Sequence, residues 1–162
     1  MSVLLTVSLS AALPLSAASH VDVVKMRTEN QVNPLGIGTS TPRFSWQITS
    51  DRKGVVQTSY QILVASSREK LDRNEADLWD SGERNSDEQL WIPYQGKALL
   101  SGAQAYWKVR ITTNKGKSEW TEPQLFTIGL LGETKWSGTW IGLEDLQPGE
   151  QKGMHTRLAA RY

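Results

Sequence analysis

The chain has 162 residues, 18 basic against 17 acidic for a net charge of +1, no cysteine and two histidines. This excludes a thiol nucleophile, a disulfide framework and any cysteine-containing metal site, and the charge balance gives no pull toward nucleic acid or an anionic membrane. Seven tryptophans in a chain that is 38% hydrophobic are the unusual feature, because such rings either fill a sandwich core or stack on sugars.

Residues 1–18, MSVLLTVSLSAALPLSAA, are uncharged and largely apolar. The run is too short, and too broken by Ser and Pro14, to span a bilayer. Ser16 and Ala18 fit the minus-three and minus-one positions of a signal-peptidase site, so cleavage is expected between Ala18 and Ser19. The expected product is secreted or periplasmic, with no membrane span after cleavage. The stretch carries no Lys or Arg beyond its terminal amine.

Residues 21–27 alternate roughly and read as a first strand. Residues 28–42, with Asn30, Asn33-Pro34, Gly36, Gly38 and Pro42, are loop chemistry throughout. A strand follows at 43–48 with Phe44, Trp46 and Ile48 inward, then a polar turn at 50–54. Residues 57–66, QTSYQILVAS, place Tyr60, Ile62 and Val64 on one face, while Leu63 and Ala65 make the other face apolar too. That predicts a central strand. Residues 67–76 are charged and read as a helical turn or a solvated loop. Residues 77–82 form a short strand closed by Ser81-Gly82. Residues 89–94 form another, whose Pro93 argues for an edge or a strand end.

The stretch from Leu100 to Trp120 is the clearest. Trp107, Val109 and Ile111 point one way and Lys108, Arg110 and Thr112 the other, so this strand has one buried and one wet face. Asn114-Lys115-Gly116-Lys117 then turns the chain. Leu100 lies six residues ahead of Tyr106. That spacing suggests a tyrosine corner, with the Tyr106 hydroxyl bonded to upstream backbone. A last strand covers 124–128. The pattern, about seven strands over residues 21–130, predicts an all-β antiparallel two-sheet sandwich of immunoglobulin or fibronectin type III kind. The expected division is a signal peptide at 1–18, the sandwich at 19–131, and at 132–162 a linker with the truncated start of a second sandwich. Trp136 and Trp140 are expected to anchor the corner between the two.

Several segments together carry a resemblance. They are R-T-E-N…N-P-L-G-I (27–37), P-R-F-S-W (42–46), Q-T-S-Y-Q-I-L-V-A-S (57–66), D-L-W-D-S-G (77–82), Y-W-K-V-R (106–110), G-K-S-E-W (116–120), F-T-I-G-L-L (126–131) and W-I-G (140–142). In this order and spacing the chain resembles the N-terminal part of bacterial α-L-rhamnosidases from about Val24 onward. The resemblance implies a large glycoside hydrolase with an (α/α)6 catalytic barrel and several β-sandwich accessory domains. It also implies that the chain is a fragment whose partners are a downstream sandwich and the barrel of the same parent chain. The family's catalytic carboxylates lie far downstream, so no catalytic residue carries over.

The residues themselves agree. Glycoside hydrolysis needs two carboxylates, but Asp77 and Asp80, three apart in a strand, face opposite ways. Glu69, Asp72, Glu75 and Asp77 are interleaved with Arg68, Lys70 and Arg73, which favours a neutralised surface over a Ca²⁺ site. His20 and His155 have no partner ligands. Ser59, Ser81 and Ser101 lack a His and Asp constellation, and Gly36-x-Gly38 lacks the helix and lysine of a phosphate loop. No catalytic residue, cofactor or metal is expected.

The aromatics are the candidate contact residues. Trp46 and Trp107 fit the core pattern, with Tyr106 and Leu100 as further structural residues. Trp91, Tyr94 and Trp79 are the candidates for a sugar or an interdomain contact. The sequence therefore reads as a non-catalytic structural module of an α-L-rhamnosidase-like enzyme. Two alternatives stay open: a carbohydrate-binding module using Trp91, Tyr94 or Trp79 on a rhamnose-containing glycan, and a fibronectin-type protein-interaction module.

Overall fold

The computed structural model describes residues 21–132. The expected signal peptide, the linker with its second sandwich, and Trp136 and Trp140 lie outside the described residues. Eight strands and one short helix follow in order. β1 (Val21–Thr28), β2 (Arg43–Ser50) and β5 (Ile92–Pro93) form one antiparallel sheet in the order β1-β2-β5. The second sheet runs β4 (Trp79–Asp80), β3 (Gln57–Ala65), β6 (Gln104–Thr113). The far edge of β6 is shared: β8 (Gln124–Thr127) pairs with residues 104–107 and β7 (Gly116–Lys117) with residues 112–113. The expected two-sheet antiparallel sandwich is what the chain forms. The eighth strand is β7, two residues long and too short to carry a periodic signal.

The core follows from the alternation. Phe44 and Trp46 from β2 face Ile62 and Val64 from β3 and Trp107, Val109 and Ile111 from β6, all buried. Phe44 is its centre. Its ring lies 4.4 Å from that of Trp107, 5.8 Å from Phe126, 6.3 Å from Trp79 and 6.5 Å from Tyr94. Burying one such ring removes ~150–250 Å² from water, roughly 4–6 kcal/mol of gross transfer free energy and an upper bound. The Trp46 indole donates to Gln57 Oε1 at 3.1 Å, which lets both be buried.

Hydroxyls complete the large sheet where its short strands run out. Ser81 Oγ accepts from the Ile62 amide at 2.8 Å and donates to the Gly82 carbonyl. Ser118 Oγ does the same for the Ile111 amide and the Glu119 carbonyl, and Thr121 Oγ1 accepts from the Val109 amide. Unpaired amides beside a core are costly, which gives D-S-G and G-K-S-E-W a physical reason.

Two expectations change here. Residues 28–42 are not simply loop. Asn33 Oδ1 accepts from the Leu125 amide, the Thr127 amide donates to the Pro34 carbonyl, and Ile37 makes a parallel bridge to Ile128. N-P-L-G-I thus lines the free edge of β8. Gly129 lets it approach, since a Cβ there would lie 2.9 Å from the Gly36 carbonyl oxygen.

The outer face of β6 is wet only in part: Gln104 is exposed and Arg110 and Thr112 are half-buried, but Lys108 is covered. The helix α1 (Arg68–Asp72) places Leu71 over Leu63 and Ala65, with Tyr106 and Trp120 packed beside them. Lys108 is buried beneath this layer. Its ammonium donates to the Leu71 carbonyl and sits 5.2 Å from the Trp120 ring centroid, and burial pushes its pKa down. Arg110 stacks on the same indole at 4.4 Å. A long side chain can bury its stem while its head finds a carbonyl and a π-face.

Asp77 ties this helical layer to β3. It accepts from the Ser66 amide and hydroxyl and pairs with Lys70 Nζ at 2.6 Å. Burial works to raise its pKa, but these donors outweigh it and hold the carboxyl at about 2, against 3.8 ordinarily. A folded pKa below the unfolded one gives stability that is full above pH 3.8 and is lost as pH falls toward 2. Melts across that range should show an acid limb that Asp77→Asn flattens. An unchanged limb would contradict this assignment.

Candidate functional site

The exposed face of the small sheet carries the most constructed surface among the described residues. It is built from irregularities on both flanks of β2. On one flank, the β1–β2 register slips by one between Val24 and Arg27. Lys25 takes up the extra residue in the left-handed region, φ 50°. β1 then ends in a tight turn: Thr28 and Gln31 exchange both backbone hydrogen bonds, with Glu29 at φ 47° and Asn30 at φ 63°. Two positive φ values mark a type I′ turn, so R-T-E-N is a hairpin signature. Glu29 Oε1 accepts from the Arg43 amide at 2.8 Å, and its carboxylate holds the Arg43 guanidinium through Nε and Nη2 at 3.1 and 2.8 Å. These bonds to Arg43 hold the Glu29 carboxyl below the usual range.

On the other flank, Phe44 pairs with Ile92, and regular pairing would next set Trp46 opposite Leu90. Instead the Trp46 amide donates to the Gln89 carbonyl at 3.0 Å. One extra residue therefore sits on this side, a β-bulge with Leu90 and Trp91 opposite Ser45. Trp91 has φ 60°, a region where glycine is at ease and a bulky residue is strained. Its amide is held by Ser45 Oγ at 3.0 Å. The residue is 47% exposed, with the Arg43 guanidinium 4.3 Å from the ring centroid. Lys25, Arg27, Asn30, Gln47, Leu90 and Trp91 border a recess of about 180 Å³ between the bulges.

The other two candidate contact residues are not at this surface. Trp79 and Tyr94 are buried, their rings 5.4 Å apart and both against Phe44. Ile92 and Tyr94 alternate inward, which leaves Trp91 outward, and the bulge breaks that alternation at exposed Leu90. Tyr94 takes the role expected of Tyr106. Its hydroxyl donates to the Lys97 carbonyl at 2.7 Å, with the Leu78 carbonyl 3.3 Å away, and burial pushes its pKa up to about 12. Tyr106 lies on the outer face, because Trp107 points inward. Its hydroxyl accepts from Gln104 Nε2 at 2.6 Å. Leu100 is 73% exposed, so the expected corner between them does not form. Trp46 and Trp107 are in the core as expected.

Leu100 has other neighbours. Gly102 donates to the Ile128 and Gly129 carbonyls, and the Leu131 amide donates to Ser101 Oγ. Exposed Leu100 and Leu130 therefore flank the point where the described chain ends, and exposed Leu35 adjoins Gly36, which touches Gly129. Asp80 accepts from Gln61 Nε2 and the Gly82 amide, apart from the Asp77 cluster. Among the described residues no group of His, Asp or Glu is placed to hold a metal ion. No described helix is long and apolar enough to cross a membrane.

Sequence reasoning missed Ser45 and Arg43 as partners of Trp91, and Lys25 as its neighbour across the recess. The available signal was Leu90 beside Trp91, two apolar residues at opposite parity that one regular strand cannot both expose or both bury.

Comparison with known proteins gives consistent matches. The sequence model described as Rha78A-like, N-terminal immunoglobulin domain, matches residues 23–132. An α-L-rhamnosidase of Formosa agariphila is 39% identical over 127 residues, covering 77% of this chain and 13% of that protein. The crystal structure of Streptomyces avermitilis α-L-rhamnosidase complexed with L-rhamnose superposes with a TM-score of 0.70 at 36% identity, over 76% of this chain and 12% of that one. The structure of α-L-rhamnosidase from Dictyoglumus thermophilum gives 0.69 at 36% identity, over 74% and 14%. The chain thus spans about one seventh or less of the relatives it matches.

Proposed function

We propose a function from one fact: the chain belongs to the family of Rha78A-like, N-terminal immunoglobulin domains. It is a non-catalytic structural module of a larger α-L-rhamnosidase-like glycoside hydrolase. The parent is exported, through the leader at residues 1–18, and removes terminal α-L-rhamnose from plant glycans or glycosides. The module supports a second β-sandwich and the (α/α)6 barrel of the same protein.

The observation that carries this reading is that Leu35, Leu100 and Leu130 are exposed on segments joined to residues 128–131, where the matched domain ends. Exposed leucines grouped where a chain leaves a domain suit an interface with a neighbouring domain. The test compares Leu100→Asp with Leu130→Asp in two settings: the 162-residue chain, and the protein read onward in the same frame past Tyr162. The expected result is little change in the short chain, because surface substitutions stay within about 0.5 kcal/mol. In the longer protein the melting temperature and rhamnosidase activity should both fall. An equal, small effect in both would overturn the interface, and a frame that stops at Tyr162 would overturn the module.

A further inference from the structure

We propose that the recess around Trp91 is a binding site for an acidic saccharide, a uronic acid residue of a glycan chain. The proposal does not depend on the activity of the parent.

Strain is concentrated there. Among the described residues, six non-glycine residues have positive φ, and Lys25, Glu29, Asn30 and Trp91 are four of them. Both neighbours of β2 bulge close to the same level: one bulge turns Lys25 outward, and the other leaves Leu90 outward beside Trp91. Bulges re-aim side chains next to functional sites, and backbone strain persists where the surroundings enforce it. Trp91 occupies a backbone position that glycine would fill without strain. A sandwich that needed only its fold would gain nothing from an exposed indole there.

The chemistry of the walls selects the ligand. Arg43 covers one face of the half-exposed Trp91 indole, so a sugar ring would stack on the face away from it. Lys25 and Arg27 bring two cations to the recess, while Arg43, over the Trp91 ring, is paired with Glu29. Among the described residues no carboxylate forms an ion pair with Lys25 or Arg27. Asn30 and Gln47 provide amides for hydroxyls. Arg43 is fixed by Glu29 and the Trp91 backbone by Ser45, so the site is set before binding. The recess has room for one pyranose unit, which fits the ring and carboxylate of a uronate.

The test uses the ¹⁵N-labelled 162-residue chain, with tri-galacturonate as probe and cellotriose as its neutral comparator. The indole N–H resonance of Trp91 is identified by its loss in Trp91→Gly. That resonance should shift and saturate with tri-galacturonate, with cellotriose at least ~10-fold weaker. A Lys25→Ala, Arg27→Ala double variant should bind ~10-fold more weakly without a change in fold. Trp91→Gly should lose binding and still melt within about 5 °C of the parent chain, because glycine relieves the left-handed position. An unmoved resonance, equal binding of cellotriose, undiminished binding by the Lys25→Ala, Arg27→Ala variant, or binding that survives Trp91→Gly would overturn the site. A Trp91→Gly chain that unfolds would also overturn it, by showing that the ring serves the fold.

Discussion

Gly96→Ala should cost the sandwich about 3 kcal/mol, although it adds a single methyl. A Cβ on Gly96 would lie 2.4 Å from Trp79 Cβ, 2.5 Å from the Leu78 carbonyl oxygen and 2.5 Å from the Tyr94 hydroxyl. None of the three can yield easily. Leu78 accepts from the Lys97 amide at 3.0 Å, the Tyr94 hydroxyl is held by the Lys97 carbonyl, and the Trp79 ring is wedged against Phe44. Gly82 supplies the contrast. It has φ 61° with nothing within 4 Å of a Cβ, so Gly82→Ala carries only the left-handed penalty of roughly 1–2 kcal/mol. Urea midpoints should rank parent, Gly82→Ala, Gly96→Ala. A Gly96→Ala chain as stable as the parent would mean that the β5–β4 corner is not closed as described.

Phe44→Ala should be the most damaging single truncation, about 3–5 kcal/mol. The ring is fully buried and meets four other aromatic rings, three from the larger sheet and Tyr94 just after β5. Its removal leaves a cavity that Trp107 and Trp79, fixed by their own packing, cannot fill. With total stabilities of about 5–15 kcal/mol, much of the chain should be unfolded at moderate temperature. Phe44→Leu should cost about half as much, because volume is nearly kept while the aromatic contacts are lost. Far-UV dichroism melts of the three proteins check the order. A mild Phe44→Ala would contradict its place at the centre of the core.

The parts of the fold legible in the sequence are those that period two controls. Phe44 and Trp46, Ile62 and Val64, and Trp107, Val109 and Ile111 show their buried face by alternation alone. Legibility ends where a tertiary contact overrides parity. Lys108 sits in the polar register of β6, yet α1 and Trp120 cover it, and only the fold brings residues 71 and 120 to that place. Tyr106 and Tyr94 are both tyrosines beside a turn. The one whose parity points inward became the buried backbone tie, and the spacing from Leu100 had suggested the other. N-P-L-G-I reads as loop because its pairing with β8 uses an asparagine side chain and two glycines rather than an apolar pattern. Trp91 could be named as a candidate, but its partners could not. Bulges on two different strands bring Lys25, Arg43 and Trp91 together, and neither bulge has a sequence mark beyond a local break in alternation.

The central claim is that this sandwich supports chemistry done elsewhere in a larger protein. The most direct measurement is hydrolysis of a chromogenic α-L-rhamnoside by the purified 162-residue chain. Glu29, Asp77 and Glu75 are paired with Arg43, Lys70 and Arg73, and Asp80 caps a backbone turn, so release of the chromophore should match that of buffer at every chain concentration. A rate that rises in proportion to the chain, and vanishes when the chain is unfolded, would contradict that claim.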